Sequence, residues 1–283
     1  MVAGGLRTMG VLSTLCDLAS RAEGGVSQAA RRTGEADFRD AKRRNEERLE
    51  LMADPRILCF DIESAGVNAL KSDLGFVIVF GYKWSDEAKP RSIIIDKKSL
   101  RHFDDRKLLM EASKLYEKAD LVVAHFGSVF DRRFIQGRLL IHNLPPIPPT
   151  KMRDTCMIAR SVANFSSNRL KHLAKILNLR HQKLENGWPN AWMRVMQGDM
   201  QALKDLAIYC EGDVMALEEL YERLRPFDNP HPRMYEEREG CRVCGGKVQH
   251  RGVAFVGERR YRRWQCMKCG KWDRGRKAIE PGG

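Results

Sequence analysis

The sequence predicts an α/β protein: a mixed sheet flanked by helices, with a small helical segment before it and a small cysteine-paired segment after it. Three observations carry this. Apolar runs of the buried-strand type open the central region and give way to alternating strand and helix patterns. Residues 1–50 show helical patterning and no strand signal. Four cysteines beyond residue 240 form two C-x-x-C pairs. The 283-residue chain therefore divides into residues 1–50, 54–228 and 238–275, with the polar, proline-marked stretch DNPHPRMYEEREG (228–240) as a linker before the last segment.

In residues 1–50, Val11, Leu12, Leu15 and Leu18 recur at helical spacing. Ser27 is a candidate cap, Gly34 a turn, and a charged helix runs on from Glu35. Helix, turn and basic helix resemble a helix-turn-helix arrangement. A charged, solvated arm fits the same pattern, because Asp and Glu interleave with Arg39, Lys42, Arg43 and Arg44.

In residues 54–228, RILCFDIE (56–63) reads as a buried strand. GFVIVFGYKW (75–84) and RSIIID (91–96) are two more, joined by the short turn SDEAK and therefore antiparallel. DDRKLLMEASKLYEKA (104–119) is an amphipathic helix with Leu108, Leu109, Ala112 and Leu115 facing inward. DLVVAHF (120–126) is a fourth strand. VFDRRFIQGRLLIHN (129–143) is a helix stopped by the prolines of LPPIPP. KMRDT is a short strand, SSNRLKHLAKILNL (166–179) a helix capped by Ser or Asn, and residues 198–227 hold one long helix stopped at Pro226.

Hydrophobic content of 43% and charged content of 31% are those of a soluble globular protein. No apolar run approaches the length that spans a bilayer, and no export signal is evident, so a cytoplasmic protein with no membrane partner is expected. The net charge is +13. Residues 231–283 carry +8 of it (fourteen Lys/Arg against six Asp/Glu), which fits a polyanionic partner, nucleic acid first. Cys16, Cys59, Cys156 and Cys210 sit among apolar neighbours and read as small core residues.

Asp61 and Glu63 stand two residues apart in the buried strand, hence on one face. Burying two like charges without a partner is costly, and a metal ion removes the cost. Asp131 opens a helix just after a strand, where functional groups gather in such sheets. Tyr209 and Asp213 lie one helical turn apart on one face. Four carboxylates and a phenol from three elements are a set able to hold two divalent cations through oxygen. Taken singly, Asp131 fits a first-turn acid, Tyr209 a core phenol and Asp213 a solvated carboxylate. The pair in the buried strand is harder to reduce in this way.

Asp61-Ile62-Glu63, Phe130-Asp131 and Tyr209 to Asp213, in this order, resemble the three motifs of the DEDD exonucleases of the RNase H-like superfamily, in the DEDDy subgroup with Tyr in the third motif. The chain resembles the proofreading domain of family-B DNA polymerases and the stand-alone phage and bacterial exonucleases related to it. DTCMIAR, FSSNRLKHLAKILNL and ELYERLRPF extend the likeness over roughly residues 55–270. The resemblance implies an RNase H-like, mixed five-stranded sheet and metal-dependent 3′→5′ hydrolysis of DNA on single-stranded ends. It implies two Mg²⁺ or Mn²⁺ ions, one held by Asp61, Glu63 and Asp213 and the other by Asp61 and Asp131. Tyr209 would orient the attacking water, since a phenol with its ordinary pKa of about 10 is a poor base at neutral pH. A phage origin, and so a host cytoplasm, rests on the same resemblance.

The family pattern usually has Asn five residues before the second-motif Asp, and here that position is Phe126, after His125. This bears on the grip on the strand end and leaves open a nucleic-acid-binding protein with a vestigial nuclease core. A ribonuclease or a structure-selective nuclease of the same fold stays open too, since nothing in the sequence speaks to the 2′-hydroxyl or the strand end.

Cys241 and Cys244, then twenty-one residues, then Cys266 and Cys269 suit one structural, tetrahedral Zn²⁺. Gly245, Gly246 and Gly270 follow the pairs, as in tight turns that bring backbone amides toward sulfur. KVQHRGVAF and RRYRRWQC look like hairpin strands, so the segment resembles a zinc ribbon. Arg259, Arg260, Arg262 and Arg263 interleave with Tyr261 and Trp264, an alternation suited to phosphates and bases. The zinc could equally staple a domain too small for a core of its own.

Overall fold

The computed structural model describes residues 54–182, 190–235 and 240–280. The helices expected in residues 1–50 lie outside the described residues, as does Cys16. The expected mixed five-stranded sheet is present. It consists of β1 (Ile57–Gly66), β2 (Gly75–Trp84), β3 (Arg91–Ile94), β4 (Leu121–Ala124) and β5 (Lys151–Asp154), in the order β3-β2-β1-β4-β5. β1, β2 and β3 pair antiparallel through short turns, while β4 runs parallel to β1 and β5 parallel to β4. Parallel neighbours need crossovers. Helices α1 (Lys97–Arg101) and α2 (Arg106–Glu117) make the first, and α3 (Asp131–Ile141) makes the second. Then follow α4 (Thr155–Val162), α5 (Leu170–Ile176), α6 (Ala191–Met196) and the long α7 (Met200–Leu224). No described helix is long and apolar enough to cross a membrane.

The sheet is covered on both faces, which is why β1 and β2 are apolar almost throughout. On one face Phe60 and Phe80 stack at 5.3 Å between ring centroids, with Tyr116 of α2 set edge-on to Phe60 at 5.3 Å. On the other face Cys59 packs with Val214 and Leu217 of α7. Asp61 pairs across the strands with Gly81, and a Cβ at Gly81 would lie 2.6 Å from Cys210 Sγ. Glycine there lets α7 settle onto the strand that carries Asp61 and Glu63.

Two polar ties fix these layers. Asp105, fully buried, accepts from Val77 N–H at 2.8 Å and from Arg138 Nη2 at 2.8 Å, joining the start of α2 to β2 and α3. Lys83 of β2 donates to Glu218 of α7 at 2.6 Å. At its start α7 is capped by Asp199, which accepts from the N–H groups of Gln201 and Ala202. It ends just before Pro226, which cannot extend it.

Some details differ from expectation. The helix expected over 166–179 is shorter, and its cap is Arg169 with no side-chain hydrogen bond, not Ser or Asn. Ser166 Oγ is instead 3.1 Å from His172 Nε2. In α2 the buried stripe is Leu108, Leu109, Ala112 and Tyr116, with Leu115 half-buried. Helices α1, α4 and α6 have five, eight and six residues, too short to show a helical period. The C-terminal sheet has three strands, β6 (Val248–Val256), β7 (Arg259–Cys266) and β8 (Trp272–Ala278), where two were expected. β8, WDRGRKA, has little apolar alternation to betray it.

Candidate active site

β1 and β4 stay paired only from Ile57 to Cys59. Beyond that point β1 continues through Asp61 and Glu63 while β4 ends at Ala124. The loop after β4 is clamped by Asp154, at the end of β5. Its carboxylate accepts from Phe126 N–H at 2.9 Å, Ser128 N–H at 3.0 Å and Ser128 Oγ at 2.5 Å, while capping α4 through Cys156 N–H. The clamp sets where α3 begins, and its first residue is Asp131. Phe126 adopts a left-handed backbone (φ 65°) that Asn tolerates far better than Phe does. Its ring is exposed and lies 5.7 Å from the Arg160 guanidinium. His125 Nδ1 lies 2.9 Å from Thr155 Oγ1.

Asp61, Glu63 and Cys210 present ligand atoms that all lie within 4.8 Å of one another. Asp131 and Asp213 are outside that tight group but within electrostatic reach of it, Asp131 of Asp61 and Asp213 of Cys210. Both are buried, with 4% and 2% of their surface exposed. Asp131 accepts from its own N–H and that of Ile62, yet burial, and then the charge of Asp61, push its carboxyl well above the usual carboxylate range. Tyr209, also buried, sits one turn before Asp213 on α7.

Two residues of the cluster are not singled out by sequence. Cys210 is a core residue, as expected of it, but its Sγ also lies 3.7 Å from Asp61 Oδ2. Burial, then Asp61 and Glu63, raise its thiol well above its ordinary value and hold it protonated. Trp192 donates from its indole Nε1 to Glu63 Oε2 at 3.2 Å. A cysteine next to Tyr209 in the third motif is a usable signal for the first. The second comes from a six-residue helix with no local mark.

The carboxylates are hard oxygen donors of the kind Mg²⁺ and Mn²⁺ prefer. Burial first, and the charge of Asp61 second, drive Asp131 toward its neutral form, and a cation beside it would offset both. The cluster therefore fits divalent cations.

The sequence profile of the RNase H superfamily matches residues 58–225, more than half of the chain and a span that contains Asp61, Glu63, Asp131 and Asp213. The chain belongs to the RNase H superfamily. No curated protein matches it. Among solved structures, the family B DNA polymerase from the hyperthermophilic archaeon Pyrobaculum calidifontis is similar in fold, with a TM-score of 0.51 and 18% sequence identity. The alignment covers 62% of this chain and 25% of the polymerase. Superfamily membership and fold support a nuclease with a nucleic-acid substrate, of a class that uses divalent metals.

Outside the region matched by the RNase H profile, Cys241, Cys244, Cys266 and Cys269 converge to within 4.8 Å. Cys244 Sγ lies 3.5 Å from Cys266 Sγ, and Cys241 Sγ lies 3.8 Å from Cys269 Sγ. A zinc tetrahedron with bonds of about 2.3 Å has edges of about 3.8 Å, so the four sulfurs fit one such ion. Gly245 and Gly270 take left-handed φ of 68° and 83° at the two turns, and the N–H groups of Lys268 and Cys269 approach Cys266 Sγ at 3.4 Å. The small sheet with its clustered cysteines is compatible with a zinc ribbon.

On β7, Arg260, Arg262 and Trp264 alternate with Arg259, Tyr261 and Arg263. The rings already have partners. Arg274 lies 4.3 Å over Tyr261, Arg263 lies 5.2 Å over Trp272, and His250 sits edge-on to Trp264 at 5.3 Å.

Proposed function

We propose that the chain is a metal-dependent 3′→5′ exonuclease of the DEDDy type, acting on single-stranded DNA ends. What supports this reading most is that Asp61 and Glu63 share one tight group, with the buried carboxylates of Asp131 and Asp213, from two helices, within electrostatic reach of it. Asp61, Glu63 and Asp213 would hold one Mg²⁺ or Mn²⁺, and Asp61 and Asp131 the second. When bound, such a pair of ions supplies charge neutralisation at the scissile phosphate and an ionisable water. Tyr209 would orient the attacking water through its hydroxyl. The Asp154 clamp would fix Asp131 while substrate enters over the exposed ring of Phe126. The test is product analysis on 3′-labelled and 5′-labelled DNA, single- and double-stranded, and on RNA. Stepwise shortening from the 3′ end of single-stranded DNA that needs Mg²⁺ or Mn²⁺ is expected. Internal cleavage, loss from the 5′ end or a preference for RNA would overturn the corresponding part of the reading.

In this reading the C-terminal sheet holds one structural Zn²⁺ through its four cysteines and contacts nucleic acid through Arg259, Arg260, Tyr261, Arg262, Arg263 and Trp264. With Tyr261 under Arg274 and Trp264 edge-on to His250, the exposed guanidinium groups are the natural phosphate contacts. Replacing Arg259, Arg260 and Arg262 together by Ala should flatten the dependence of log Kobs on log[salt] for single-stranded DNA by about 2, at about 0.7 per phosphate contact. An unchanged slope would remove these residues from the interface.

A further inference from the structure

The acidic cluster also receives a hydrogen bond from an element that carries none of its members. Trp192 lies in α6, half-buried against the main core, and its Nε1–H donates to Glu63 Oε2 at 3.2 Å. The helix is anchored to the one that bears Tyr209 and Asp213: Arg194 Nε and Nη2 bond Asp199 Oδ2 at 2.9 and 2.6 Å, and Asp199 caps α7. Glu63 needs such support. The pairing register of β1 shifts between Glu63 and Ser64, so the strand ladder is irregular at the residue whose carboxylate must be aimed. A glutamate side chain also has more rotamers to lose than an aspartate. An indole N–H is a donor only, so it can engage Glu63 solely through an oxygen lone pair, and it selects which oxygen is engaged.

We propose that Trp192 is a positioning residue, whose indole N–H holds Glu63 in the orientation that takes a divalent cation. This rests on the reading of Asp61 and Glu63 as cation ligands. Hydrogen-bond partners of metal ligands are typically worth about 10–100-fold in metal affinity or activity, because they fix the ligand before the ion arrives.

The test uses the full chain and Mn²⁺ alone, with binding followed by calorimetry and by quenching of tryptophan fluorescence. Trp192→Phe keeps an aromatic ring in the core and removes the N–H. It should weaken Mn²⁺ binding about tenfold or more, while the melting temperature without metal stays near that of the parent. Hydrolysis should recover at high Mn²⁺, so that the change falls on the metal requirement more than on the saturated rate. If Trp192→Phe binds Mn²⁺ as the parent does, while Glu63→Gln binds it more weakly, the positioning role is wrong and the cation site stands. If Glu63→Gln leaves Mn²⁺ affinity unchanged, both fall. Should Trp192→Phe lose stability, the double-mutant cycle with Glu63→Gln still decides, since strictly additive effects on Mn²⁺ affinity would refute the coupling.

Discussion

Asp131→Asn is expected to make the metal-free protein more stable at neutral pH and to lower Mn²⁺-dependent hydrolysis by about a thousandfold or more. The two effects have one origin. Asp131 is buried beside Asp61, and burial together with that charge drives its carboxyl well above the usual range. The native state therefore keeps a proton at pH values where the unfolded chain has lost it. Stability of the metal-free protein should fall as pH rises from the ordinary carboxylate range up through the raised native value, because over that window the native state binds more protons than the unfolded one. Asn can still accept from Ile62 N–H but never ionises, so the variant should escape this loss. The scale of the gain is the linkage term, about 1.4 kcal/mol for each pH unit by which the working pH lies above the ordinary carboxylate range within that window.

The loss of activity follows from the same geometry. A ligand that carries charge stabilisation worth several kcal/mol in the transition state corresponds to about 10³-fold or more in rate. Asp61→Asn should do at least as much damage, because Asp61 serves both proposed ions. Thermal melts from about pH 4, near the ordinary carboxylate value, up to about pH 9, with and without Mn²⁺, separate the cases. Mn²⁺ should raise the melting temperature of the parent more at higher pH, as the cation displaces the proton. It should raise that of Asp131→Asn less and with a weaker pH dependence, since only the ion proposed at Asp61, Glu63 and Asp213 keeps its full ligand set. Parallel melting curves for parent and variant across this range would show that Asp131 carries no such strain and would undercut its role. A site stable only when loaded is a common form of the trade between stability and activity.

Much of this was legible because the physics that shapes the sheet also marks the site. β1 is apolar enough to be recognised as buried, so Asp61 and Glu63 stand out as charges in the wrong place. Asp131 stands out because a strand and a helix meet just before it, and Tyr209 and Asp213 because α7 is long enough to show its period. The bounds of β2 follow from its own residues, since β-branched and aromatic side chains fill it and turn residues flank it, while β7 shows itself by Tyr261 and Trp264 interleaved with arginines just before Cys266.

What was not legible depends on contacts between distant segments. Trp192 reaches Glu63 across 129 residues, and the Asp154 clamp reaches Phe126 across 28. Neither leaves a local pattern. α5 illustrates a different limit. Ser166, Ser167 and Asn168 are good caps by type, but helix α5 starts one turn later, at Leu170, where Leu170, Leu173 and Ala174 pack with Ile158 and Leu220. Packing overrode capping preference. Cys210 was correctly placed in the core by its neighbours, and only the approach of α7 to Gly81 brings it against Asp61.

The second large effect is expected in the C-terminal sheet. Stripping zinc with a strong chelator, or replacing Cys266 by Ser, should unfold residues 240–280 and leave the five-stranded sheet folded. The burial pattern is the reason. β6, β7 and β8 are exposed or half-exposed at every position except Cys266, and the buried cluster of this region consists of Cys241, Val243, Cys244 and Cys266. Three strands with so little buried apolar surface cannot offset the chain entropy of folding. A structural Zn²⁺, with an apparent binding free energy of about 10–16 kcal/mol in small finger peptides, can. Among the described residues, ties to the rest of the chain include Lys271 Nζ to the Asp228 carbonyl at 3.2 Å and Tyr235 N–H to the Arg242 carbonyl at 3.1 Å. The main core rests instead on Phe60, Phe80, Tyr116 and their neighbours, none of them in the small sheet. Hydrogen exchange should show amides of β6 to β8 losing protection on chelation while those of β1 and β2 keep it, and elemental analysis should find one zinc per chain. Unchanged protection in β7 after complete removal of metal would mean that the sheet folds without the ion, and the four thiols would then need another explanation.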